Sequence, residues 1–285
     1  MESGDVKGNS RKNSKFNRKV EKIVEIQHSN WVKLSKLNTA EQISAVFVFT
    51  DILQYICNME KYNVFFISDT HFHHVNSLYF KPKRRTLAGI SLEELQNGDK
   101  EACARRHDEW LISVWNGQVK KNDIVYILGD FCLGNKEITE NILTQLNGRK
   151  CLILGNHDKS CKGLENYFEW VGQIKEAKFT HEMFPFIKEE ETFCVEMCHF
   201  PLLAWNRKSH GTVHACGHIH GAHDFLNDQT GVLRVDVGLD AELSNYSLIP
   251  LEKLYRHFRE IVESHGFKTY QEYAEFLYEK QGFRD

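Results

Sequence analysis

Five short segments of this chain carry the residue types from which a divalent-metal site is built. They read Asp69-Thr70-His71, Gly129-Asp130, Gly155-Asn156-His157-Asp158, Cys198-His199 and Gly217-His218-Ile219-His220. Oxygen and imidazole donors mixed in one set suit Mn²⁺, Fe²⁺ and Zn²⁺, whereas all-oxygen sets suit Mg²⁺ or Ca²⁺. No cysteine stands at a ligand position, which argues against a closed structural zinc knot. The set is large enough for two cations in one site. Two cations roughly 3.5–4 Å apart lower the pKa of a shared water and stabilise both oxygens of an in-line displacement at phosphorus.

Such residues need rigid elements behind them. Runs such as VYILGD and CLILGNHD set their polar residues at the carboxyl end of a buried strand, where open α/β sheets place their ligands. Val64–Ser68, Ile124–Leu128 and Cys151–Leu154 read as buried strands. Between them, Trp110, Leu111, Val114 and Trp115 mark one face of a helix, and Ile138–Leu146 a second, stopped by Gly148 as a C-cap. Ser91 and Glu94 fit a capping box. This half reads as βαβαβ with a parallel sheet. Farther on, Phe193, Val195 and Met197 alternate with polar or small residues, the period of a half-covered strand. Val213–Cys216 and Val232–Val237 read as further strands. Helices at Leu251–Ser264 and Gln271–Gln281 close the chain. The expected architecture is α/β, with two mixed sheets packed face to face as a sandwich and flanked by helices.

The chain has 285 residues and a net charge of -3, so it carries no global basic footprint for duplex DNA. Its eight cysteines are scattered without a CxxC pair, which points to a reduced, cytoplasmic protein. The most apolar stretch, Ile43–Ile56, is interrupted by Thr50 and Asp51 and falls short of the ~20 residues of a membrane span. Residues 1–22 hold seven Lys/Arg against three acids and read as a disordered basic arm, with a nucleic-acid or headgroup contact as the functional alternative. Residues 23–58 fit one or two helices. We therefore divide the chain into an extension, 1–58, and a compact domain, 59–285.

The ordered set D-x-H, G-D, G-N-H-D, H and G-H-x-H resembles the calcineurin-like metallophosphoesterase superfamily. The strings FFISDTHF, VYILGDF, LGNHD and HFPL are similar to a small bacterial and phage branch of it. The resemblance implies a four-layer fold and two divalent cations, Mn²⁺ first, with Fe²⁺, Zn²⁺ and Ni²⁺ as alternatives. By motif position it makes Asp130 the bridging ligand. Asp69, His71 and His220 complete one metal, and Asn156, His199 and His218 the other. It casts His157 as the group that contacts the scissile phosphate and protonates the leaving oxygen, with Asp158 fixing its tautomer. His74 matches a position near the substrate phosphate. His73 stands where that branch has Gly, and we expect it to face solvent.

One cationic run, Lys81-Pro82-Lys83-Arg84-Arg85, is either a solvated turn or a phosphate clamp in which Arg84 and Arg85 bind substrate. His210, His214 and His223 take no motif role. The expected activity is hydrolysis of a small, nucleotide-like phosphodiester or monoester. A Ser/Thr protein phosphatase is disfavoured, because Leu154 rather than arginine precedes Gly155. The alternatives are a nuclease for single-stranded or terminal nucleic acid, and a non-catalytic metal-binding scaffold.

Overall fold

The computed structural model describes residues 62–222 and 233–280, so the readings for 1–58 and for His223 lie outside the described residues. Strands β1 (Val64–Ile67), β2 (Ile124–Ile127), β3 (Arg149–Ile153) and β4 (Trp170–Gly172) are parallel neighbours in the order β4-β3-β2-β1. A two-residue strand, β9 (Ile249–Pro250), adds antiparallel beside β1. The second sheet runs β5-β6-β7-β8. Here β5 (Ile174–Thr180) is antiparallel to β6 (Thr192–Cys198), while β7 (Val213–Cys216) and β8 (Arg234–Asp236) continue parallel to it. Both sheets are mixed, as expected.

Side-chain alternation explains the layering. In β1, Val64 and Phe66 join one apolar core and Phe65 and Ile67 another, so both faces of the strand are covered and its sequence is continuously apolar. The first core also takes Phe193, Val195 and Met197 of β6 with Val213 and Ala215 of β7, which packs the two sheets together. The second core lies under helix α4 (Lys100–Gln118), through Leu111 and Trp115, and helix α5 (Lys136–Gln145), through Ile142 and Leu143. Helices α6 (Leu251–Ser264) and α7 (Tyr270–Lys280) add Leu254, Phe258 and Tyr273 to the inter-sheet core.

Several local readings change. Before α4 the chain forms three short helices, α1 (Ser77–Phe80), α2 (Pro82–Leu87) and α3 (Leu92–Asn97). Only α3 was legible, from its Ser91–Glu94 capping box, which forms with both hydrogen bonds. The cationic run is not a turn: Pro82 occupies the first helical position of α2, where its missing N–H costs nothing. Helix α5 ends at Gln145, and Gly148 lies beyond it with φ +86°, shaping the turn into β3 rather than capping the helix. The seven cysteines among the described residues are all free and buried. No helix among the described residues is long and apolar enough to cross a membrane.

Candidate metal centre

Asp69 follows β1, Asp130 follows β2, Asn156 follows β3, His199 follows β6 and His218 follows β7, so one edge of the sandwich gathers donors from both sheets. Backbone hydrogen bonds zip the first two loops together. The N–H groups of Asp69, His71 and Phe72 donate to the carbonyls of Gly129, Asp130 and Phe131 at 3.0, 3.0 and 2.8 Å. Gly129 holds φ +90°, and a Cβ there would meet His199 Nδ1 at 2.6 Å, so glycine is needed for the loop to pass the ring. Gly217 is bounded as tightly, by Ser68 Oγ and by Asp69 Oδ2.

Nine described non-glycine residues have positive φ, and Asp69, His71, Asp130, His218 and His220 are five of them. Left-handed backbone costs energy for a residue with a Cβ and clusters where the surrounding structure holds a functional geometry. The strain here falls on the aspartates and histidines that the motifs single out.

Two groups of donors result. Asp69, His71 and His220 form one, and Asp69, Asp130 and His199 another, each with its ligand atoms within 4.8 Å of one another. His71 Nε2 lies 3.7 Å from Asp69 Oδ1, 3.7 Å from Asp130 Oδ2 and 3.3 Å from His220 Nε2. On the other side, His199 Nε2 lies 3.7 Å from Asp130 Oδ1 and 3.0 Å from Asn156 Oδ1. The His218 ring stands beside it, centroids 5.1 Å apart, with its backbone N–H on Asp69 Oδ2 at 2.9 Å.

The tautomers follow from what the outer nitrogens meet. His199 Nδ1 lies 2.7 Å from the Leu128 carbonyl, which can only accept, so Nδ1 carries the proton and a neutral ring turns the lone pair of Nε2 toward Asn156 Oδ1. His220 Nδ1 faces Asp240 Oδ2 at 3.3 Å in the same manner. Asp69 Oδ1 is buried with no hydrogen-bond partner, although 3.6 Å from His220 Nε2. Lone pairs converging on shared points around an orphaned carboxylate oxygen are the donor arrangement of a metal centre, and oxygen with imidazole nitrogen is the chemistry of borderline divalent cations. The residues fit.

Electrostatics agree. Burial pushes the Asp69 carboxyl up, but the neighbouring His71, His220, Ser68 and His199 side chains outweigh it and hold it at about 2. Burial, reinforced by neighbouring cationic groups, pulls His74 down to about 4. Its ring lies 5.4 Å from that of His71, consistent with its expected nearness to the site. The His157 side chain is exposed at the mouth, its ring 6.0 Å from His71 and its backbone N–H on Asp130 Oδ1 at 2.9 Å.

Four expectations are corrected. Asp158 does not hold His157. Its buried carboxylate instead accepts backbone N–H groups from Asp130 (3.0 Å), Gly155 (2.7 Å) and Phe131 (2.7 Å), stitching two ligand loops together. Arg84 does not reach substrate: it is fully buried, donating to the carbonyls of Asp69 and Thr70 at 3.0 Å each and to both oxygens of Asp240. Arg85 turns to the Leu78 carbonyl at 3.1 Å. Lys81 also reaches the site, with Nζ 3.0 Å from the His220 carbonyl. His73 is not solvated, because its Nδ1 lies 2.8 Å from Asp108 Oδ2 on α4 and its backbone N–H donates to Oδ1 at 2.6 Å. His214 is a packing residue, buried and stacked on Trp205 with centroids 5.2 Å apart.

Asp240 went unread, although it orients His220 and pairs with Arg84. A weaker signal was present: VDVGLD, like VYILGD, closes a strand with Gly and then Asp, although Leu239 separates the two.

The calcineurin-like phosphoesterase model matches residues 62–225, more than half of the chain. This protein belongs to the calcineurin-like phosphoesterase family, whose members hydrolyse phosphate esters with metal ions. It is similar to the uncharacterized protein MJ1445 of Methanocaldococcus jannaschii, at 35% identity over 103 residues, 35% of this chain. The chain spans about half of that relative, 49% of its length. The gene 66 protein of Mycobacterium phage D29 is 27% identical over 185 residues, 58% of this chain and 89% of the phage protein. A solved protein of unknown function from Aquifex aeolicus, AQ665, aligns with TM-score 0.47 at 19% identity, over 71% of this chain and 100% of its own.

Proposed function

We propose that this protein is a phosphodiesterase or phosphatase acting on a small, nucleotide-like phosphate ester with two divalent cations, Mn²⁺ foremost. The observation that carries this reading is the Asp130 carboxylate, which turns Oδ2 toward His71 and Oδ1 toward His199, each at 3.7 Å. A carboxylate facing two donor groups is suited to bridging. In this reading Asp69, His71 and His220 hold one cation and Asn156, His199 and His218 the other. When bound, the cations acidify water and neutralise charge on the phosphate oxygens.

The remaining work falls to side chains. Asp240 and the Leu128 carbonyl keep the protons of His220 and His199 on the outer nitrogens, leaving the inner lone pairs for ligation. His157, exposed at the mouth, gives a proton to the departing oxygen. The seven described cysteines, free and buried, support a reducing cytoplasmic setting. A nuclease reading draws on the basic residues 1–22. Binding of single-stranded nucleic acid that falls steeply with salt and vanishes on deleting them would favour it.

The test is hydrolysis of bis(p-nitrophenyl) phosphate, then of nucleotide mono- and diesters including 2′,3′- and 3′,5′-cyclic forms, with added Mn²⁺. Asp130→Ala should be inactive. Absence of hydrolysis with Mn²⁺, Fe²⁺, Zn²⁺ and Ni²⁺ alike would leave the scaffold reading in its place.

A further inference from the structure

A cleft of about 520 Å³ opens beside the Asn156 side of the centre, within the size range of small-ligand sites. One wall comes from the end of β3 and its loop, through Leu154 and Asn156. The other comes from Val171 of β4, Ile174 of β5 and Phe200 after β6. Ile174 is 53% exposed and Phe200 43%, so two large apolar side chains are left in water at its edge. Phe200 is also held in place, edge-on to His199 and His218 with centroids 5.0 and 4.8 Å away. It therefore joins the cleft wall directly to the donors of the centre. Gln173 adds an amide to this lining, and Lys159 and Lys162 stand exposed there. Neither ammonium makes a hydrogen bond or salt bridge to any described residue.

We propose that this cleft takes the planar aromatic base of the substrate while the phosphate lies at the metal centre. The inference rests on the phosphoesterase reading above and assigns the substrate's orientation and class: a nucleotide rather than a sugar phosphate. Apolar walls with the amides of Asn156 and Gln173 suit a flat ring that carries hydrogen-bonding edges, and base stacking on apolar and aromatic side chains is tolerant of base identity. An acyl chain would meet an interrupted apolar surface.

Calorimetric titration of the Mn²⁺-loaded protein with adenosine 5′-monophosphate and with ribose 5-phosphate tests this, since both carry the same sugar and phosphate. The nucleotide should bind about tenfold tighter or more. Ile174→Asp should remove that advantage and leave ribose 5-phosphate binding unchanged, with Ile174→Ser as a milder companion and melting curves to confirm folding. Equal affinities, binding of neither ligand, or an Ile174 effect that weakens both ligands alike would overturn the proposal. A nucleotide preference in a protein that hydrolyses no ester would instead count against the proposed reaction and leave the cleft assignment standing.

Discussion

The backbone N–H of Asp130 donates to Asp158 Oδ2 across 3.0 Å, so one aspartate of the centre is positioned by another in the next motif. Both side chains are buried, and Asp158 binds Phe131 and Gly155 as well. Burial, the larger influence, and the charge of Asp130 raise the Asp158 carboxyl above its usual range, while the three amides pull it back only in part.

Asp158→Ala therefore acts on structure first. It leaves three buried N–H groups without an acceptor, each worth roughly 1–3 kcal/mol. Urea denaturation should show a loss of several kcal/mol, and metal affinity should fall with it. Full stability with reduced turnover alone would restore the expected pairing with His157.

His157 and Asp130 should separate chemistry from metal binding. Asp130→Ala should lose both cations. His157→Ala should keep its metal content and cut turnover by roughly 10²–10⁴, the worth of a positioned proton donor. The loss should shrink for aryl esters, whose leaving groups need little protonation. Metal analysis beside kinetics on two esters of different leaving-group pKa checks this, and equal slowing of both would make His157 a phosphate anchor.

Arg84 offers a contest between two roles. As a phosphate clamp, its loss would raise KM and spare stability. Its buried pairing with Asp240 at 2.7 Å predicts the reverse: Arg84→Ala should cost about 3–5 kcal/mol, because the buried Asp240 carboxylate loses its bidentate partner and keeps only His220 at 3.3 Å and Lys81 at 3.9 Å. Asp240→Asn should weaken metal binding about 10–100-fold through His220. Denaturation curves and metal titrations distinguish the cases.

Asp236 gives a pH signature in the metal-free protein. Burial lifts its carboxyl to about 6, although it accepts N–H groups from Gly221 and Gly238. A raised folded-state pKa means that folding favours the protonated form. Its stabilising contribution is complete below about pH 4 and is lost as pH rises through 6. The loss is on the order of 2–3 kcal/mol. The difference in stability between wild type and Asp236→Asn should change across that window. A difference that is flat with pH would refute it.

A chain beginning at Met59 should retain metal-dependent hydrolysis of a small ester, because every residue of the centre lies beyond it. Activity and melting temperature of the shortened chain test this. Failure to fold would show that residues 43–56 supply apolar surface that the domain needs.

The strand-end positions of the expected ligands were legible in the sequence, because a buried parallel strand needs a continuous apolar run and the first polar residues after it mark the sheet edge. Asp69, Asp130, Asn156, His199 and His218 could be read in this way, as could the inward face of β6 through Phe193, Val195 and Met197. Local capping at Ser91 was legible for the same reason: its partner Glu94 lies three residues away. The partners of Asp158, Arg84 and His73 were not. Arg84 meets Asp240 across 156 residues and His73 meets Asp108 across 35, and a charged side chain reads as solvated until the fold shows what surrounds it. Burial decides whether such a group serves substrate or scaffold. Burial of a charge depends on residues far off in the chain, so only the tertiary structure could turn a cationic run into one buried brace, one lysine at the site and an arginine bonded to the preceding helix.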